Sequence, residues 1–241
     1  MEIKKGSVLR VKAVERGKSN YSAHFEREMV ERLHIKELLR EARKVMVGFG
    51  EDAGPIWGWL RSIKGLRAGG EAAKLLAQID DVALFATVSK LWAFAGWAVD
   101  DEGGVQRLKK GAVAPYNRDL KAVCWRIADL FVKHRAPVYR EAYDSYKKDD
   151  RRKHPNVICQ NCGSIFAPDI KKCPGCKRGN GNYNLFYCDA HIDSRARRKV
   201  AKLFLSHVWL KWREFEELPV SDPYVVAVLG HTNIIPPPEP A

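Results

Sequence analysis

Residues 57–97, WGWLRSIKGLRAGGEAAKLLAQIDDVALFATVSKLWAFAGW, carry the pattern that decides the fold. Trp59, Leu60 and Ile63 form an apolar entry into a glycine-punctuated turn, Gly65-Leu66-Arg67-Ala68-Gly69-Gly70. Beyond it Ala72, Ala73, Leu75, Leu76 and Ile79 recur at near-helical spacing, which predicts a helix. A second helix is expected with Thr87 as N-cap and Gly96 as C-cap. Short helix, glycine turn, short helix is the grammar of a helix-hairpin-helix. In that motif the glycines let the backbone approach a phosphate, and the amides at the next helix start face the anion. Two packed helices joined by a flexible turn fit the same residues equally well, so this stretch leaves both readings open.

Upstream, Ser7–Val14 alternates as a strand would, within an N-terminal strand or tail over residues 1–20. Residues 21–50 read as an amphipathic helix whose stripe is Phe25, Met29, Leu33, Leu38, Ala42 and Val45. Core packing is the first reading of that stripe. Dimerisation, or docking of a partner protein, is the second. Downstream, the adjacent acids Asp80, Asp81, Asp100 and Asp101 sit in turn contexts and read as caps and turn formers. A two-metal nuclease would need carboxylates converging from several elements. Arg107, Lys109 and Lys110 make the far arm of the following loop basic. Asn117 is the expected N-cap of a helix whose apolar face is Leu120, Val123, Cys124, Ile127, Leu130 and Phe131, with Cys124 as a small buried hydrophobe. Pro137 opens another helix, with Tyr139, Tyr143 and Tyr146 on one side as packing residues.

The sharpest local signal is VICQNCGSIFAPDIKKCPGCKR, residues 157–178. Cys159 and Cys162 form one CxxC, and Cys173 and Cys176 the second. Such spacing brings both thiolates of a pair within about 2.3 Å of one ion, and two pairs close a tetrahedral site. A structural four-cysteine zinc ribbon over residues 155–180 is therefore expected, with no open position for catalysis. A redox role would need only one CxxC, and structural disulfides are disfavoured in a reducing compartment. With so few apolar links (Ile158, Ile165, Phe166), metal binding should drive folding of this module. Cys188 and His191 read as local structural contacts, since four cysteines already saturate zinc. From Asp193 a helix is predicted to bury Ala196, Val200, Leu203, Phe204, Val208 and Phe215. Arg195, Arg197 and Arg198 crowd its first turns. A helix start is already electropositive, so these cations call for an anion nearby.

The 241 residues carry 42 Lys and Arg against 29 Asp and Glu, a formal net charge of +13. That excess favours polyanionic partners, nucleic acid before membrane, because no lipid-facing amphipath appears. With 46% hydrophobic and 10% aromatic residues the chain is globular rather than disordered. No signal peptide opens it, and no apolar run approaches the roughly 20 residues of a membrane span, so a cytoplasmic location is expected.

Several phrases of the chain together resemble the C-terminal domain of the DEDD-type insertion-sequence transposases, the family numbered one-ten with relatives one-sixteen and nine-oh-two. They are Ser62-Ile63-Lys64-Gly65-Leu66, Ala72–Asp80, Phe85–Trp97, Tyr116–Ala128 and Ala196–Lys202. The likeness covers residues 57–146 and 189–209. It implies a part in DNA transposition or recombination for a mobile element, with a helix-hairpin-helix domain that grips DNA or a guide RNA. The departures bear on catalysis. The stretch ahead of Trp57 is too short for the family's RuvC-like domain, which supplies the acidic metal ligands. Residues 98–108, AVDDEGGVQRL, hold no serine where the family has its catalytic one. The hairpin turn is one residue longer, and a zinc ribbon is inserted.

The expectation is thus a mainly α-helical protein with an inserted β zinc ribbon. The helical domain spans residues 55–153, is completed by a helix over 185–217, and a Pro-rich tail follows over 218–241. The cofactor is structural zinc on Cys159, Cys162, Cys173 and Cys176. The nucleic-acid contacts are Gly65, Arg67, Gly69, Gly70, Arg107, Lys109, Lys110, Lys172, Arg195, Arg197 and Arg198, and no residue is assigned to catalysis. Two other readings stand beside it. The chain could complete an enzyme whose catalytic part sits on a partner chain, or it could be an RNA-binding or structural subunit of a ribonucleoprotein.

Overall fold

The structure is a computed structural model that describes residues 22–99, 111, 113–179, 184–220 and 235–239, with side chains excepted at 22–30 and 33. The strand expected at Ser7–Val14 and the basic arm of Arg107, Lys109 and Lys110 lie outside the described residues. The chain divides into two units, residues 1–49 and 50–241.

Helix α1, Ser22–Glu51, provides the described part of the first unit and runs one turn or less past its end. Its 30 residues form the helix that the 3.6-residue periodicity predicts. Core packing was the first expectation for its stripe, but Leu38 and Val45 are exposed, as are Leu39 and Phe49.

The second unit is mainly helical. Helix α2 (Pro55–Ser62) begins with proline in its first turn, where a missing N–H costs nothing. Helix α3 (Gly70–Ile79) follows the glycine turn. A 3₁₀ turn at Val82–Leu84 is capped by the Asp81 carboxylate, which accepts from the Ala83 amide at 2.7 Å, so this acid does form a cap. Helix α4 (Val88–Phe94) starts after Thr87, which makes no side-chain cap bond, and ends before Gly96. Helix α5 (Arg118–His134) has Asn117 as its cap. The Asn117 side-chain oxygen accepts from the Leu120 amide at 2.9 Å, while its Nδ2 donates to Gln78 on α3. Helix α6 (Tyr139–Lys153) follows a sharp turn through Arg135 and Val138, both at positive φ.

The element around which this unit is built is helix α7, Asp189–Phe215, which packs against α2, α4, α5 and α6. Ala196, Val200, Ala201, Phe204, Leu205 and Val208 are fully buried along it. Leu203 is only half-buried and Phe215 is exposed, contrary to the burial expected of both. The core closes on aromatic contacts. Tyr139 stacks on Phe131 at 4.2 Å, and Phe204 meets both rings edge-on. Cys124 has no exposed surface, and burial pushes its thiol up to about 12, so it behaves as the small hydrophobe expected.

Between α6 and α7 lies a three-stranded antiparallel sheet: β1 (Val157–Cys159), β2 (Ile165–Phe166) and β3 (Leu185–Phe186), in the order β2-β1-β3. Val157 pairs with Phe166 and Cys159 with Leu185. The third strand lies past residue 180, where the sequence placed the module's end. Alternation along β1 turns Val157 and Cys159 inward and Ile158 out.

Residues 235–239 of the tail are docked. Ile235 and Pro238 are bonded to the helical core through their carbonyls, to His207 on α7 and Trp59 on α2.

Candidate metal centre and basic surfaces

The four cysteine sulfurs lie within 4.8 Å of one another and could hold a metal ion. Cys162 Sγ stands 3.4 Å from Cys173 Sγ, and Cys159 Sγ 3.7 Å from Cys176 Sγ. A disulfide would bring sulfurs to about 2.05 Å, whereas the edge of a tetrahedron with ligands at 2.3 Å is about 3.8 Å. All four thiols are free. Spacing and donor chemistry therefore fit one closed tetrahedral ion.

The two knuckles are local copies of one turn. The Gly163 amide donates to the Cys159 carbonyl at 2.8 Å, and the Lys177 amide to the Cys173 carbonyl at 2.9 Å. The residue closing each turn is left-handed, Gly163 at φ 74° and Lys177 at φ 59°. Gly175 lets the backbone come close: a Cβ there would lie 2.6 Å from the Ser164 hydroxyl and 3.5 Å from Cys162 Sγ. Ser164, which the sequence reading passed over, is hydrogen-bonding Cys162 at 3.2 Å. That hydroxyl, then the Ser164 amide, pulls the Cys162 thiol down, while burial pushes Cys159 up. The small core beneath is Val157, Phe166 and Leu185 with Cys159 and Cys173, and Cys188 packs against it. Cys188 donates to the Leu185 carbonyl and His191 accepts from the Tyr187 amide at 2.9 Å, so both make local contacts as expected.

The cations of α7 have partners inside the chain. Arg195 and Lys199 both bind Asp150 on α6, at 2.9 and 2.8 Å, and this carboxylate is almost fully buried. Burial opposes its ionisation, yet the two cations outweigh that and hold its pKa below the usual carboxylate range. Arg197 bridges Asp193 at 2.8 Å and Asp129 on α5, and is itself mostly buried. Arg198 lies close enough to Lys121 to help lower that lysine's pKa, after burial. The anion that these cations called for is thus met by Asp129, Asp150 and Asp193. Sequence reasoning missed Asp129 and Asp150 because those pairings cross from helix to helix, whereas Asp193 lies one turn before Arg197 on α7 itself. Beside them His154 stacks on Tyr187 at 3.6 Å, and Arg195 lies over the same ring.

The α2–α3 turn is different. Arg61, Lys64 and Arg67 are exposed there. Gly65 and Gly69 take φ of 102° and 78°, and no side chain caps α3. The first intrahelical bond at this end runs from the Ala73 amide to the Gly69 carbonyl, so the amides of Gly70, Glu71 and Ala72 have no partner within the helix. The Glu71 carboxylate is drawn off to Lys74 and Arg126, at 3.0 and 2.9 Å. Lys172, with Lys171, Lys177 and Arg178, is exposed on the cysteine module. No family model, curated protein or solved structure matches this chain. No described helix is long and apolar enough to cross a membrane.

Proposed function

We propose that this protein binds nucleic acid through phosphate contacts, and that its cysteine module is a zinc ribbon that folds around a structural ion. The four-sulfur cluster carries the second half of this reading: zinc takes four thiolates in closed tetrahedral sites and needs no further ligand. The α2–α3 turn carries the first half. Three exposed cations flank unpaired amides at an uncapped helix start, which is the arrangement a helix-hairpin-helix uses on a phosphate. The net charge of +13 supplies long-range attraction. Short helix, glycine turn and helix, followed by α4 and α5, also keep the order of the transposase-like phrases, and on that resemblance we place the protein in DNA transposition without autonomous catalysis.

The proposed working surface is Lys64, Gly65, Arg67 and Gly70, with Lys172 on the ribbon, while Gly69 is buried and serves the shape of the turn. Arg195 and Arg197 belong first to the packing of α7, because their charges are spent on Asp150, Asp129 and Asp193. A competition titration of zinc-loaded protein against duplex DNA and a structured RNA, at two salt concentrations, tests the proposal. Each lost phosphate contact should reduce the slope of log K against log salt by about 0.9 on duplex DNA. Lys64→Ala with Arg67→Ala should lower both affinity and slope while leaving the thermal melt unchanged. Unchanged affinity and slope would sink the hairpin surface. A clear preference for RNA would favour a ribonucleoprotein subunit, and binding to neither would remove nucleic acid as the partner.

A further inference from the structure

Three prolines in a row, Pro236, Pro237 and Pro238, follow Ile235 against the helical unit. The ring of proline fixes φ near about −65° and disfavours a helical conformation in the residue before it, so such a run is extended in the polyproline II manner. Its backbone offers carbonyls but no N–H. Two of those carbonyls are read. His207 Nε2 donates to the Ile235 carbonyl at 2.8 Å, and Trp59 Nε1 donates to the Pro238 carbonyl at 3.0 Å. The two acceptors stand one polyproline turn of about 3 residues apart. Ile235, Pro237 and Pro238 are half-buried, while Pro236 and Glu239 face out.

The donors are held rigidly. Trp59 is buried on α2, and His207 on α7. The Tyr139 hydroxyl lies 3.0 Å from His207 Nδ1. Because Nε2 must carry the proton given to Ile235, Nδ1 is the acceptor and Tyr139 the donor. Tyr139 in turn is pinned by stacking on Phe131. Proteins recognise proline-rich peptides with aromatic-lined surfaces, and an indole N–H bonded to a proline-segment carbonyl is a donor of that kind.

We propose that Trp59 and His207 form a receptor groove for an apolar-Pro-Pro-Pro segment of another protein chain, and that this chain's own residues 235–239 occupy the groove in cis. The tether is residues 221–234. A tethered ligand competes at an effective concentration of roughly millimolar order, so an external segment gains the groove only when the tail is released or outnumbered. The proposal is independent of nucleic-acid binding.

The test begins with the full chain carrying a protease site within residues 221–234, folded intact and cut afterwards. A fluorescent peptide with the sequence of residues 232–241, TNIIPPPEPA, is titrated into cut and uncut protein. Cut protein should bind it at least about tenfold more tightly than uncut protein, in keeping with relief from a tethered competitor. Trp59→Phe keeps an aromatic side chain, though a smaller one, and removes the donor, and should weaken the peptide by about fivefold or more, the effect of an unmet buried carbonyl. Should that variant fail to fold, a peptide bearing Pro236→Ala, Pro237→Ala and Pro238→Ala replaces it and should compete at least tenfold less well by the same reasoning. Equal affinity for cut and uncut chains, or indifference to both changes, overturns the groove. If the cut tail stays bound and no peptide enters, the contact is a permanent strap and the proposal fails.

Discussion

The cysteine module and the helical core next to it are held by different physics. Around α7 the core buries whole aromatic and aliphatic side chains from α2, α4, α5 and α6. The module has strands of 3, 2 and 2 residues, and among the described residues its buried cluster contains three side chains that are not cysteine. Full burial of an aliphatic or aromatic side chain contributes about 1.5–3 kcal/mol, so three of them cannot meet the ordering entropy of a loop-rich stretch. The core can therefore fold by burial alone, whereas the module, as the zinc ribbon proposed above, would need an ion. The difference also locates sensitivity: ligand chemistry controls one region and side-chain protonation the other.

The largest expected effect follows directly. Structural zinc contributes about 10–16 kcal/mol in apparent binding free energy in small zinc modules. Chelation should therefore unfold residues 157–186 and leave the helices folded. Limited proteolysis should open within the module while far-ultraviolet circular dichroism keeps its helical signal. Cys173→Ser should do the same without chelator. Simultaneous loss of the helical signal would show that core and module are one cooperative unit and would break the comparison.

Acid should act on the other side. Burial pushes the His207 pKa down to about 4, with Lys211 adding to the effect and the Ile235 bond opposing it. Its depressed value means that the unfolded chain binds the extra proton first. Stability is complete above the unfolded value near 6.5 and falls as pH drops from there towards 4. The loss is on the order of 3 kcal/mol, from about 2.5 units at 1.36 kcal/mol each. His207→Gln should flatten the slope of unfolding free energy against pH in that window. A slope that survives the substitution would assign the acid sensitivity elsewhere. Protonation of the four cysteines would also weaken ion binding by the proposed zinc ribbon at low pH, so the core must be followed by its aromatic signal.

Legibility in the sequence followed the range of the interactions. The four-cysteine cluster could be read because CxxC spacing is a local geometric requirement, met before any tertiary contact forms. Helices α3 to α6 could be read for the same reason, from periodicity and the Asn117 cap. The role of α7 as the hub was not legible. A helix advertises its buried face but not the four helices that fill it, and Phe215 continues the periodic pattern yet remains exposed. The tail was read as a tail because its docking depends on donors distant in sequence, Trp59 lying 179 positions from Pro238. The arginines of α7 stand at an electropositive helix start, where they require an anion. Their partner Asp150 belongs to another helix, 45 positions from Arg195, and sits in a run of charges that gives no hint of burial.

The smallest effect sharpens the account of the module. Its two knuckles close with left-handed residues, but only one of these is glycine. An L-residue in that conformation costs roughly 1–2 kcal/mol, and glycine loses more chain entropy on folding, so the net preference for glycine is about 1 kcal/mol or less. Nothing lies within 4 Å of a Cβ built on Gly163, so Gly163→Ala isolates the backbone term. It should weaken metal retention about fivefold in chelator competition, the equivalent of roughly 1 kcal/mol. Lys177→Gly is the reverse change, but it also removes a cation beside a site of net negative charge. Its gain should accordingly be smaller, about twofold at low salt, and should grow as added salt screens the lost charge. If Lys177→Gly instead weakens retention at every salt concentration, the lysine contributes more through charge than its backbone costs, and the two knuckles are equivalent in shape but not in energy.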